Sequence, residues 1–228
     1  MKRVLFGALA TAVLVTAFAV RADAHSATDY YPRRWQRQLT QSWAFTSSFP
    51  SGAKRDRVRN GVAQWNVLGE PQRWSEVSQR ADYNPDVCPP TYGMNSIHWR
   101  NIPDDSVGAL AYVSRCTFSG STEIYSAQMV IDSSRTWYDG TGDAADGFGN
   151  QICSLPPGCE NDFWSVASHE WGHMTGFSGP FHNGHFSSSE SICSGNDGQH
   201  TMCPALEIGT ERLRTLEDHD RHTFQNSY

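Results

Sequence analysis

Apolar positions in this chain fall into a few short periodic stretches set between long polar ones. Glu123 to Asp132 (E-I-Y-S-A-Q-M-V-I-D), with Ile124, Ala127, Met129 and Ile131 apolar, is the best strand signal. Trp43-Ala44-Phe45 alternates weakly into a first strand, and Ser96 to Trp99 and Ala109 to Val113 read as further short strands. Between them, Phe49-Pro50-Ser51-Gly52 turns into a helix with Ser51 as its expected cap. Val58, Val62, Trp65 and Leu68 recur there at helical spacing, for packing against a sheet, while Arg55, Arg57 and Arg59 are assigned to the outer face. From Glu70 to Pro90 the chain is polar, and it ends in the turn-rich Asn84-Pro85-Asp86 and Cys88-Pro89-Pro90.

A second helix is predicted over Asn161 to Gly176, N-D-F-W-S-V-A-S-H-E-W-G-H-M-T-G. Asn161 or Asp162 caps its start, and Gly176 suits the left-handed position that ends a helix. Within it, His169-Glu170-x-x-His173 puts two imidazoles four residues apart, on one face of the helix, where both can converge on one metal ion. Glu170 then projects beside that metal and can take a proton from a water the metal carries. The plainer alternative is an amphipathic helix with two histidines on its polar face. Gly172 is out of place in a helix interior, at a cost of about 1 kcal/mol against alanine. It is read as a point where another backbone passes close to the metal.

The chain has 228 residues, enough for one domain of ordinary size. Residues 1–24 read as a secretory signal peptide, with Lys2 and Arg3 before the apolar run Val4 to Val20 and Ala22-Asp23-Ala24 as the cleavage site. A single domain over 25–228 is expected to follow. The formal charge is −6, and removing Lys2, Arg3, Arg21 and Asp23 leaves it near −8. That balance argues against nucleic acid or an anionic membrane surface as partner. Six cysteines in an exported chain point to three disulfides. Sequence proximity favours Cys88–Cys116, Cys153–Cys159 and Cys193–Cys203. Asp139, Asp143 and Asp146 lie among glycines, where either a calcium ion or solvent would satisfy them. His98, inside a strand, is read as packed or exposed in preference to a ligand.

A catalytic zinc takes three protein ligands and keeps one position open. Past Gly176 the sequence F-S-G-P-F-H-N-G-H-F offers His182 and His185, and further on Thr201-Met202-Cys203-Pro204 sets a methionine before a proline turn. On H-E-W-G-H-M-T-G (His169 to Gly176) and T-M-C-P, the chain resembles the metzincin clan of zinc peptidases, most closely its matrixin-like bacterial members. Leu213 to Tyr228 looks like the family's closing helix and Phe49 to Leu68 like its first. There is one departure. The family's third histidine comes three residues after the glycine, and that position here is Gly179. The third ligand is then displaced to His185, favoured because Gly184 frees the backbone before it, or to His182, which needs the shorter insertion. A carboxylate such as Glu190 or Asp197 is the remaining alternative.

The resemblance implies an α+β zincin domain, stapled by disulfides. A twisted, mixed, mostly parallel five-stranded sheet would pack on two long helices, with a C-terminal helix besides. The cleft would run along an antiparallel edge strand, for which Glu123 to Asp132 is the candidate. It implies Met202 as an apolar floor beneath the imidazoles, with Asp218 or Asp220 tying that floor in place, and His200, His219 and His222 as non-ligands. It implies a zinc endopeptidase acting on protein or peptide substrates, with Glu170 as general base and then acid; secretion follows from the signal peptide, and a monomer is the default. The zinc-capping cysteine of the family's propeptide is missing, so latency by that route is not expected. A zinc amidase of another substrate class shares His169, Glu170 and His173. A non-catalytic secreted metal-binding module would have no need of Glu170.

Overall fold

The computed structural model describes residues 34–35, 40–66, 72–89, 93–103, 109–139, 161–178, 200–203 and 214–227. Within them lies a mixed α/β arrangement with a mostly parallel sheet and three helices. The sheet comprises β1 (Arg34–Trp35), β2 (Thr40–Phe45), β3 (Arg73–Glu76), β4 (Asn95–Arg100), β5 (Ala111–Thr117) and β6 (Glu123–Asp132). β7 (Trp137–Tyr138) and β8 (Asn161–Asp162) form a separate two-stranded parallel ribbon. The helices are α1 (Ala53–Asn66), α2 (Phe163–Met174) and α3 (Asp218–Ser227).

Across the sheet the order is β3, β2, β4, β6, with β5 on β6 as well and β1 added at the start of β6. Every pairing is parallel except β5 with β6. Phe45 pairs with Ile97, Ile97 with Met129, and Met129 with Val113. Side chains alternate along a strand, so this row sets one face, and Phe45, Ile97 and Met129 are buried on it. The expectation that Glu123 to Asp132 forms the edge is corrected here. β6 lies between β4 and β5, buried along most of its length, and among the described residues the antiparallel edge strand is β5.

Helices α1 and α2 pack together on that face. Val58, Val62 and Trp65 are buried at the expected helical spacing, and Trp65 Nε1 donates to Ser168 O of α2 at 2.9 Å. Ser51 does not cap α1. The Gly52 carbonyl takes the first helical N–H groups, from Arg55 at 3.0 Å and Asp56 at 3.3 Å. Arg57 is not on the outer face either: it is buried, with its guanidinium over Trp164 and Nε donating to Asp139 O at 3.3 Å. The polar stretch from Glu70 to Pro90, in which the sequence pattern picks out no strand, contains β3, whose one buried side chain is Trp74. That indole stands edge-on to Trp35 at 5.4 Å and to Trp171 at 5.2 Å, and Trp43 meets Trp171 at 5.2 Å. A single large aromatic anchors a strand whose other positions are polar, because its contribution is area buried and not periodicity.

The opposite face of the sheet is polar yet buried. Ser96, His98, Ser126 and Gln128 lie there with little or no exposure, and Tyr83 donates to or accepts from Ser96 Oγ. Met94 O gathers Ser126 Oγ at 2.7 Å and Gln128 Nε2 at 3.3 Å. The Cys88–Cys116 disulfide staples the segment over this face to the edge strand, as expected. Cys203 is disulfide-bonded as well, and Cys153, Cys159 and Cys193 lie outside the described residues. No described helix is long and apolar enough to cross a membrane, and residues 1–24 lie outside the description.

Replacing Cys88 and Cys116 together by serine releases a loop of 28 residues. It should cost about 3–4 kcal/mol of unfolding free energy, measured by denaturant titration of the variant against the wild type.

Candidate metal centre

Helix α2 begins at Asp162, whose Oδ2 accepts the Ser165 N–H at 2.8 Å as an N-cap. The same carboxylate takes a two-pronged grip from Arg214, Nε at 2.9 Å and Nη2 at 2.7 Å, both partners being buried. At the other end Gly176 adopts φ 107°, the left-handed conformation expected of it. That turn brings the Phe177 carbonyl back over the helix end.

Two residues beyond His169, Trp171 lies about 200° round the helix and is fully buried among Trp43 and Trp74. His169 and His173 therefore face away from the sheet, with ring centroids 5.0 Å apart. Each imidazole is held through Nδ1 by a main-chain oxygen: His169 by Thr201 O at 2.5 Å, His173 by Phe177 O at 2.9 Å. A carbonyl only accepts, so the hydrogen of each neutral ring sits on Nδ1 and the lone pair on Nε2. This is the tautomer in which a histidine binds a metal through Nε2.

Glu170 is buried between them in sequence and its Oε2 has no hydrogen-bond partner. Burial pushes its carboxyl up to about 8, and the charge of Arg115 pulls the other way. A buried carboxylate oxygen left without a donor is costly in a structural role, and ordinary in a group that exchanges protons.

Met202 is fully buried under α2. A Cβ placed on Gly172 would run into Met202 Sδ and lie 2.8 Å from the Trp65 ring. The reason for the glycine is thus two side chains, not the passing backbone that was expected. The turn carrying Met202 is tied from α3. Asp220 accepts the Thr201 N–H at 2.9 Å, the Met202 N–H at 3.4 Å and the Glu217 N–H at 3.2 Å. Of the two expected candidates Asp220 makes the tie, while Asp218 is exposed. His200 sits 3.8 Å from Asp220 and His222 is exposed.

His182 and His185, with Glu190 and Asp197, lie outside the described residues. Among the described residues, no cluster of three histidine, cysteine or acidic side chains forms around a common point. The two imidazoles in matching tautomers, with a buried acid beside them, fit a zinc ion. They do not suit calcium, which takes oxygen ligands. In the glycine-rich segment where calcium or solvent was expected, Asp139 Oδ2 accepts from Lys54 Nζ at 2.6 Å, and Asp143 and Asp146 lie outside the described residues.

The sequence reading missed Arg115. It stands on β5 two positions after Val113, on the helix-facing side, and reaches Gly176 O at 3.2 Å and Phe177 O at 2.8 Å. An arginine at an inward-facing place in an alternating strand was the available signal. Comparison with protein-family models and with curated proteins finds no match for the chain.

His98 is not brought to this centre. It lies on the opposite face of the sheet, Nε2 bonded to Ser96 Oγ at 2.8 Å and its ring edge-on to Tyr83 at 4.8 Å. Burial pushes its pKa from 6.5 down to about 4. The unfolded chain binds that proton more readily, so stability is full above the unfolded value and is lost as pH falls from 6.5 towards 4. The loss should be about 3 kcal/mol. Denaturant titrations at pH 7 and pH 4 should show it in the wild type and show less of it in His98→Gln.

Proposed function

We propose that the chain is a secreted zinc-dependent endopeptidase. The observation that carries this reading is the pair of imidazoles, each held through Nδ1 by a main-chain carbonyl and presented from one face of α2 beside an unpartnered buried carboxylate. His169 and His173 would hold the zinc, with His185 or His182 as third ligand. The metzincin-like H-E-W-G-H-M-T-G and T-M-C-P segments support the same assignment.

A bound zinc supplies Lewis acidity, which acidifies a water and polarises a scissile carbonyl. Glu170 Oε2 takes the proton of the attacking water and delivers it to the leaving amine nitrogen. Burial raises the proton affinity of that carboxyl, which favours its taking up a proton. Thr201 O and Phe177 O keep the two rings from turning during the reaction. Met202 and Trp65 fill the space against Gly172 under the helix. A peptide substrate would lie against β5, which among the described residues pairs only with β6, and add to it as a further strand. Export is supported by the signal-like first 24 residues and by the Cys88–Cys116 disulfide, which belongs to an oxidising compartment.

Casein should be cleaved by the purified chain, lose cleavage on chelation and regain it with added zinc. A zinc-loaded chain that leaves casein intact points to another amide substrate or to a binding module, and a chain that takes up no zinc ends the reading. Glu170→Gln should retain zinc while kcat/KM falls by at least about a hundredfold. Near-normal turnover in that variant removes Glu170 from the chemistry.

A further inference from the structure

The Phe177 carbonyl serves two donors at once. One is the His173 imidazole, through Nδ1 at 2.9 Å; the other is the guanidinium of Arg115, through Nη1 at 2.8 Å. A carbonyl oxygen has two lone pairs and can satisfy both. The same Nη1 lies 3.2 Å from Gly176 O, so a single arginine grips the two consecutive carbonyls of the turn that ends α2. Within its own segment this turn is held by Gly176 N–H to His173 O at 3.0 Å and Phe177 N–H to Gly172 O at 3.1 Å. Those bonds fix the turn to the helix. Arg115 fixes it to the sheet.

We propose that Arg115 is a positioning residue for His173, acting through the Phe177 carbonyl to set the direction in which His173 presents Nε2. The proposal rests on the zinc reading above. Its contribution is orientation and not added basicity, because a cation drawing on the same oxygen makes that oxygen a poorer acceptor for the imidazole. What Arg115 adds is a charge-assisted bond that stops the carbonyl from swinging out of the ring plane. His169 depends on a different oxygen, Thr201 O, which is held from α3. Arg115 should therefore act on one imidazole and leave the other alone.

The test is zinc affinity, read by competition with a chromophoric chelator on the full chain, without reference to turnover. Arg115→Met keeps the aliphatic stem and removes the donors, and should weaken zinc binding by about tenfold or more. Arg115→Lys retains one donor of similar reach and should stay within about threefold of the wild type. The coupling is decisive. In a His173→Ala background Arg115→Met should have no further effect, whereas in His169→Ala it should keep its loss of about tenfold. An unchanged affinity in Arg115→Met overturns the proposal, and so does an equal loss in both histidine backgrounds, which would make Arg115 a general brace. If Arg115→Met does not fold, Arg115→Gln takes its place in the same cycle with the same expectations. A wild-type chain that takes up no zinc overturns the zinc reading and this proposal together, whereas zinc binding that ignores Arg115 overturns this one alone.

Discussion

One buried carboxylate does more than any other group to fix the geometry of the first imidazole, His169, and of the turn beneath it. Asp220, near the chain end, accepts the N–H groups of Thr201 and Met202 and so decides the path of the turn beneath α2. Given that path, Thr201 O meets His169 Nδ1 and the Met202 thioether fills the space left by Gly172. Both effects need the turn at one height. Three main-chain donors converge on the carboxylate, and they offset part of the cost of burying it; burial still pushes its pKa up to about 7. The second imidazole is fixed independently, by the helix's own C-terminal turn and by the sheet edge.

How much of this was legible in the sequence depended on how local each feature is. The i, i+4 histidines, the Asp162 cap and the Gly176 ending are properties of one helix and could be read from it directly. The limits of β6 follow from its apolar pattern and agree with the structure at both ends. Its place in the sheet does not follow, because a strand buried on both faces can still be the edge in one topology and the centre in another. β3 escaped because four residues with a single apolar side chain have no period to detect. The capping of α1 by Gly52 and the burial of Arg57 under Trp164 are likewise tertiary outcomes. Asp220 stands two positions from Asp218, and only the register of the last helix separates the buried acid from the exposed one.

The two faces of the sheet solve different problems. Towards the helices, aromatic packing dominates, with Trp35, Trp43, Trp74 and Trp171 in edge-on contact. On the far side, buried polar groups are paired with one another, and the overlying segment is fastened covalently through Cys88 and Cys116. The edge strand β5 belongs to both systems. Cys116 points into the stapled side and its neighbour Arg115 into the helical side, so the disulfide steadies the strand from which the guanidinium reaches the end of α2.

The grip of Arg214 on Asp162 carries a consequence for the order of assembly. The cap of α2 is completed by Arg214, 52 positions after Asp162, and the turn at Thr201 by Asp220, 19 positions after it. A ribosome that has just finished α2 has therefore made both histidines and Arg115, but neither Thr201, whose carbonyl holds His169, nor Arg214 and Asp220, which fix the helix start and that turn. The helix can form early, yet the orientation of His169 is set only when the segment carrying Thr201 and Asp220 has emerged and docked.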